Sequence, residues 1–469
     1  MKGGTQATEI DLMKNHQEDF NPTWNLITLC LASFTVVTGF GVILPFFPLY
    51  VNSMLSEIKL GLFTVGIALQ IGIMTSAFMF TRFLLAPAYG DLSDSVGRKP
   101  IILVGMSMYA VLMVGFGLAF DFPTLLILRA MQGVASSAVW PVGEALIVDT
   151  TPDKKTVGRN LGFYMMSMQA GMALGPFIGF TFYFIFNDLA SLPELLSYKL
   201  TFACVGVLGI LATLIVAMLV TDPSVKHEDK SIRALYFYSL DAMLNRTGDS
   251  PRFLIKTFRT NEEYRTTSVY AIYLVALING FGFAMIFPLI SLFLYDYYEL
   301  GPGSVVLLIG LAGIPALTGG PIGGYISDRI GRKYTVCTSG LMAGLLFLSL
   351  GVRMALVPLA ILFAIHRFLF GVMQPAFRAL QSDLIPEKVR GKEFGVVQAI
   401  FNFGAVLGPI VGGLLYDVFF MANFHLGSGV TYLGAGIAFA LAGLLALFAA
   451  TLLFVLVDYS ADSLSYLES

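Results

Sequence analysis

Twelve apolar stretches, most of them about 20 residues or longer, dominate this chain of 469 residues. They lie at approximately 25–53, 60–89, 100–120, 123–148, 160–187, 200–221, 267–295, 303–326, 334–352, 357–382, 394–420 and 429–457. A helix rises about 1.5 Å per residue, so about 20 apolar residues cross the roughly 30 Å hydrocarbon core of a bilayer. Within that core each backbone polar group must be satisfied inside its own segment, which points to helices. Composition agrees. Hydrophobic residues make up 57% of the chain and charged residues 12%, against about 45–50% and about 25% in soluble domains. A net charge of −2 provides no basic face for nucleic acid. Cys30, Cys204 and Cys337 are far apart and odd in number, as expected of buried apolar residues rather than of disulfides or a metal cluster. Glu9, Asp11, Glu18 and Asp19 precede the first apolar run, which does not read as a signal peptide.

Charge placement sets the expected orientation. With both termini cytoplasmic, 21 Lys and Arg fall inside and three, Lys59, Lys199 and Arg353, fall outside, a strong positive-inside bias. The expected organisation is a cytoplasmic tail at 1–23, a six-helix half at 24–221, a cytoplasmic loop at 222–266, a second six-helix half at 267–458 and a cytoplasmic tail at 459–469. In the loop, Ile232, Leu235, Phe237 and Leu240, then Phe253, Leu254 and Phe258, alternate with basic residues and suit short amphipathic helices on the inner membrane surface.

The two halves repeat each other. Gly90-Asp91-Leu92-Ser93-Asp94-Ser95-Val96-Gly97-Arg98-Lys99 follows the second stretch, and Gly324-Tyr325-Ile326-Ser327-Asp328-Arg329-Ile330-Gly331-Arg332-Lys333 follows the eighth, at an offset of 234. Asp149 and Asp383 end the fourth and tenth stretches at the same offset. Arg129 precedes Gly133 by four residues, and Arg367 precedes Gly371 by four. The fifth stretch carries Gly162, Gly171, Gly175-Pro176 and Gly179, and the eleventh carries Gly395, Gly404, Gly408-Pro409 and Gly412. Four matched motifs in the same order mark an internal duplication. Glycines four apart share one helix face and admit a neighbouring backbone, while each proline removes a helical hydrogen bond.

From about Trp24 to Asp458 the chain resembles the major facilitator superfamily, whose hallmark is the duplicated Gly-x-x-x-Asp-x-x-Gly-Arg-Lys loop. The resemblance implies an all-α membrane protein of twelve transmembrane helices in two pseudo-symmetric halves that rock about a central cavity. The first copy departs from the usual pattern at Ser95, where a basic residue is common and where the second copy has Arg329. The resemblance also implies a latch on the cytoplasmic side in the outward-open state. It would be built from Asp94 near the start of helix eleven, from Arg98 with Asp149, and from Arg332 with Asp383, with Gly90, Gly97, Lys99, Gly324, Asp328, Arg329, Gly331 and Lys333 shaping the two loops. The glycine-proline pattern of helix five is similar to that of the drug:proton antiporters, with Phe180 in place of a usual glycine.

Charges inside a membrane are costly and are functional candidates by default. Arg82, Arg129, Arg367 and Arg378 fall inside helices, and Glu144 is the one acid well inside any of them. Glu144, Arg82, Arg129 and His366 are candidates for moving protons. Arg129, with Gln132 beside it, resembles the antiporter position tied to that task. Gln132, Gln169, Asn279, Arg367 and Asn402 are candidate cavity residues. Phe46, Phe47, Tyr164, Met165, Met168 and Trp140 could add a greasy lining, although most aromatic and Met residues should face lipid or neighbouring helices.

The expected activity is secondary active transport by alternating access, in the form of proton-coupled export of lipophilic or amphipathic small molecules. The alternative is a symporter or facilitator of sugars or organic anions, or a lipid flippase. The chain does not read as an enzyme, because His16, His227, His366 and His425 show no ligand spacing. It has no filter motif for a channel and no Walker motif for ATP. No cofactor and no metal are expected. Protons, the substrate and the bilayer are the expected partners, with a monomer in the cell membrane.

Overall fold

A computed structural model of the chain describes residues 22–60, 63–151, 153, 156–220, 266–386, 390–425, 427 and 429–457. The central loop and both tails, with the amphipathic segments expected there, lie outside the described residues. Among the described residues, twelve helices are long and apolar enough to cross a membrane. They are α1 (Pro22–Met54), α2 (Ile67–Val96), α3 (Arg98–Leu118), α4 (Phe122–Thr150), α5 (Val157–Phe184), α6 (Glu194–Leu219), α7 (Thr267–Tyr298), α8 (Pro302–Ile330), α9 (Arg332–Leu350), α10 (Leu356–Leu384), α11 (Arg390–Phe419) and α12 (Ile437–Leu456). α7 is interrupted at Phe287-Pro288 and regular helix resumes at Leu289. Phe287 still donates to the Phe283 carbonyl at 3.2 Å, but Pro288 has no N–H to continue the ladder.

Two short antiparallel hairpins cap one face of the bundle: β1 (Ile58–Leu60) with β2 (Phe63–Val65), and β3 (Asn423–His425) with β4 (Thr431–Leu433). Apolar patterning had placed helical stretches from 60 and from 429. Short β-hairpins are equally apolar, so the pattern alone overran the true starts at Ile67 and Ile437. The opposite face carries Arg98, Lys99, Arg159, Arg332 and Lys333. The two are called here the hairpin face and the basic face. At the hairpin face Asp121 caps α4, accepting the Thr124 N–H at 2.9 Å. The Thr124 side chain and backbone hold its carboxyl below the usual carboxylate range.

The repeated glycines decide how each half packs. A Cβ at Gly171 would lie 2.5 Å from the Phe34 carbonyl oxygen, and one at Gly175 would lie 2.6 Å from that of Thr38. In the second half, a Cβ at Gly404 or Gly408 would lie 2.2 Å from the carbonyl oxygen of Leu277 or Phe281. α5 therefore rides directly on α1, and α11 on α7. Between the halves the same device joins α2 to α11, where Gly72 meets Pro409 and Gly413 meets Ala68. Gly404→Leu is expected to lower the thermal midpoint, with a cost of about 1–3 kcal/mol for overpacking. Gly395→Leu, at a position with nothing within 4 Å of an added Cβ, is the control and should leave the midpoint in place. Equal midpoints for the two variants in a detergent melt would count against this packing.

Candidate functional site

A cavity lies between the halves. α5 contributes Met172 and Pro176, α7 contributes Phe283 and Phe287, and α10 contributes His366 and Arg367. The walls are ordered aromatic surfaces. Phe283 and Phe370 stack with ring centroids 5.4 Å apart at 13°, and the His366 ring lies 3.8 Å from that of Phe347. His366 is 6% exposed, and its Nδ1 has no hydrogen-bond partner. A second cavity sits behind this wall inside the C-terminal half, sharing Phe283, Phe347, His366 and Phe370 with the first.

Among the sequence candidates, Arg367 and His366 line the central cavity, and Asn279 lines the second one. Gln169 is exposed on α5, one turn toward the basic face from Met172 and Ala173. Asn402 is buried and accepts from Gln398 Nε2 at 3.2 Å. Gln132 lies away from both cavities. It is fully buried inside the N-terminal half, where it accepts from Arg129 at 2.9 Å. Arg129 is sealed in with it, its guanidinium 3.8 Å from the centre of the Phe47 ring. Arg129 and Glu144 share α4 but are fifteen residues apart, or about 22 Å along the axis. The structure does not bring them together.

Glu144 faces other cations. It is half-buried, six residues before the end of α4 at the basic face. Among the described residues it makes no hydrogen bond and no ion pair. Its charged neighbours are Arg378 on α10 and Arg82 on α2. The Arg82 guanidinium stacks over Trp140 at 4.1 Å, one turn before Glu144. Arg378 donates to Gln398 at 2.8 Å, and Gln398 donates on to Asn402. Sequence reasoning placed Arg378 inside a helix without giving it a role, yet a signal was present. Arg378 stands 234 residues after Glu144, and Pro375 stands 234 after Pro141. The duplication thus sets an acid and a base at equivalent positions, one in each half. Glu144 is also not alone as a helical carboxylate. Asp296, Asp417 and Glu393 occupy terminal turns, and Glu393 is buried with the Tyr273 hydroxyl donating to it.

The two ends of the α2–α11 pair differ. At the hairpin face Asp417, in the last turn of α11, accepts the N–H groups of Ala68 (3.2 Å) and Leu69 (2.9 Å) at the start of α2. Free N–H groups and the positive dipole end make a helix start a natural carboxylate site. Gly66 makes room for it, since a Cβ there would lie 2.3 Å from the Asp417 carboxyl carbon. Beside it the Tyr416 hydroxyl donates to Asp296 at 2.7 Å. On the same face Gly303 and Gly310 of α8 abut Phe180 and Phe177 of α5.

At the basic face Asp94 is 61% exposed and pairs with Arg98 at 2.5 Å. Arg98 also holds Asp149 at 3.0 Å, and Arg332 holds Asp383. Gly97 and Gly331 take φ of 107° and 103°, a backbone conformation natural only to glycine. Gly90 and Gly324 face open space. Lys99 and Lys333 donate to the carbonyls of Ala217 and Val457 at the ends of α6 and α12. Asp328 is exposed, and Arg329 lies over the Tyr325 ring at 4.3 Å.

Known proteins share this architecture. Residues 29–269 and 272–465 match the Major Facilitator Superfamily profile. The Quinolone resistance protein NorA of Staphylococcus aureus is 25% identical over 420 residues, covering 87% of this chain and 94% of that protein. The Multidrug resistance protein MdtG of Proteus mirabilis is 29% identical over 430 residues, covering 88% and 94%. Among solved structures, a bacterial homolog of the human lysosomal transporter Spinster, in its inward-facing and occupied conformation, superposes with a TM-score of 0.72 at 17% identity, covering 94% of this chain and 98% of that one. The inward-open xylose transporter XylE from E. coli superposes with a TM-score of 0.68 at 14% identity, with the same coverage. With its twelve membrane helices in two matched halves around one cavity, the chain belongs to the major facilitator superfamily.

Proposed function

We propose that this transporter is a proton-coupled exporter of lipophilic or amphipathic small molecules, with its basic face and both termini in the cytoplasm. The orientation rests on the positive-inside bias. In that frame the structure corresponds to an inward-facing state. The hairpin face is held by the Asp417 carboxylate of α11 on the start of α2 and by the α5–α8 contacts, while Asp94 is exposed and paired with Arg98. Alternating access then exchanges one α2–α11 latch for the other.

The observation that carries proton coupling is the setting of Glu144. It is a half-buried carboxylate with no hydrogen bond among the described residues, facing one arginine from its own half and one from the other. Rocking the halves changes the distance to Arg378, and Glu144 takes up and gives up its proton as that distance changes. The similarity to NorA and MdtG supports export.

The test is transport in proteoliposomes with an imposed pH gradient and a panel of lipophilic dyes. Dye accumulation should depend on the gradient, and adding dye should evoke a counter-flow of protons. Dye movement with no proton movement would leave a facilitator and reject this reading.

A further inference from the structure

We infer that the central cavity selects amphipathic compounds carrying an anionic group, of carboxylate or sulfonate type, and that Arg367 is the residue that selects the charge. This rests on the reading of the cavity as the transport site, and it goes further by naming the substrate's charge.

Four arginines lie inside the membrane helices, and three have partners. Arg82 stacks on Trp140, Arg129 holds Gln132 and stacks on Phe47, and Arg378 holds Gln398. Arg367 differs from them. Among the described residues it makes no hydrogen bond, ion pair or ring contact, and its titratable neighbour is His366. It nevertheless lines the central cavity, near the middle of α10. Among the described residues no Asp or Glu lines either cavity. A guanidinium held without a counter-charge in a low-dielectric site meets an incoming anion with two parallel N–H donors, in the fork geometry that suits carboxylate and sulfonate oxygens. A cationic substrate meets the same group as repulsion, with no acid nearby to offset it.

The rest of the cavity fits the apolar part of such a molecule. Its lining is mostly apolar, with Leu44, Met172, Pro176, Ile286 and Ile290 beside the aromatic rings, the usual make-up of a small-molecule site. The Phe283–Phe370 stack and the Phe347 ring offer flat faces to a planar body. His366, buried beside Arg367 with an unpartnered Nδ1, supplies one more polar contact at the charged end.

The experiment measures equilibrium binding to the full-length protein in detergent, with no gradient, using three probes that share one apolar body: pyrene butanoate, pyrene butanol and pyrenebutyl-trimethylammonium. The anion should bind about tenfold or more tighter than the alcohol, the scale of a charged hydrogen bond gained, and the cation should bind weakest. Arg367→Gln should bring the anion down to the alcohol and leave the alcohol unchanged, which also shows that the cavity is intact. Arg367→Lys should keep most of the preference. A wild-type protein that binds the cation as well as the anion overturns the proposal even if no variant folds. So does an Arg367→Gln protein that weakens all three probes equally, because that outcome assigns Arg367 to packing. Binding without a gradient does not depend on protons, so failed proton coupling and failed charge selection are read separately.

Discussion

Glu144→Gln is expected to reduce proton-driven substrate accumulation to background while leaving downhill substrate exchange intact. Glutamine keeps the size and hydrogen-bonding reach of the side chain and removes the group that ionises. Export against a gradient needs a proton to move for each cycle, whereas exchange needs only the rocking of the halves. The effect is therefore a split between two assays on one preparation, which a folding defect cannot mimic. Arg378→Gln should weaken accumulation in the same direction, because it removes the cation that α10 presents to Glu144. Arg129→Gln acts elsewhere. Arg129 holds Gln132 and Phe47 inside the N-terminal half, and removing its charge leaves Gln132 Oε1 without that donor. The expected result is a lower thermal midpoint, by about 1–3 kcal/mol for an orphaned buried polar group. If Glu144→Gln still concentrates substrate at the wild-type rate, coupling does not run through Glu144, and His366 becomes the residue to examine.

That contrast between Arg129 and Arg378 shows how far a sequence can be read. Whatever follows from local period or from repetition was legible. The twelve spans come from apolar length. Close backbone packing of the fifth and eleventh helices comes from glycines four apart, whereas the partners, α1 through the Phe34 carbonyl and α7 through that of Leu277, emerge only in the fold. What depends on which helices meet across the interface was not legible. Glu144 and Arg129 share a helix, so sequence suggested that they act together, yet about four turns of helix keep them apart. Arg378 is 234 residues from Glu144 and faces it only because the two halves fold against each other. Asp417 was overlooked for a similar reason. Its partners are two backbone N–H groups nearly 350 positions earlier, and backbone donors leave no mark in a sequence. The hairpins escaped because their second strands, Phe63–Val65 and Thr431–Leu433, run without a charge into the apolar helices that follow.

Asp417 and Asp94 now form a pair with opposite expected effects. Each ends a helix of the α2–α11 pair, Asp94 at the basic end of α2 and Asp417 at the hairpin end of α11. Asp417 engages the start of the partner helix in this structure, and Asp94 is exposed and paired with Arg98. If the halves exchange these latches, removing one carboxylate should favour the state held by the other. Two hydrogen bonds to a charged group and a helix dipole set the scale. Charged hydrogen bonds are worth about 1.5–3 kcal/mol and the dipole about 0.3–1 kcal/mol, so a net loss near 1.4 kcal/mol shifts the ratio of states about tenfold. A cysteine placed at exposed Gln169 on α5, in a background with Cys30, Cys204 and Cys337 replaced, reports access from the basic face through its rate of labelling by an impermeant maleimide. Asp417→Asn should slow that labelling, because it releases the hairpin-face latch and lets the basic face close. Asp94→Asn should speed it, because it weakens the closed basic face. The opposite signs matter more than the sizes, since general destabilisation would move both variants in the same direction. Should both variants label like the parent, neither carboxylate is a latch, and the contacts of α5 with α8 hold the hairpin face by themselves.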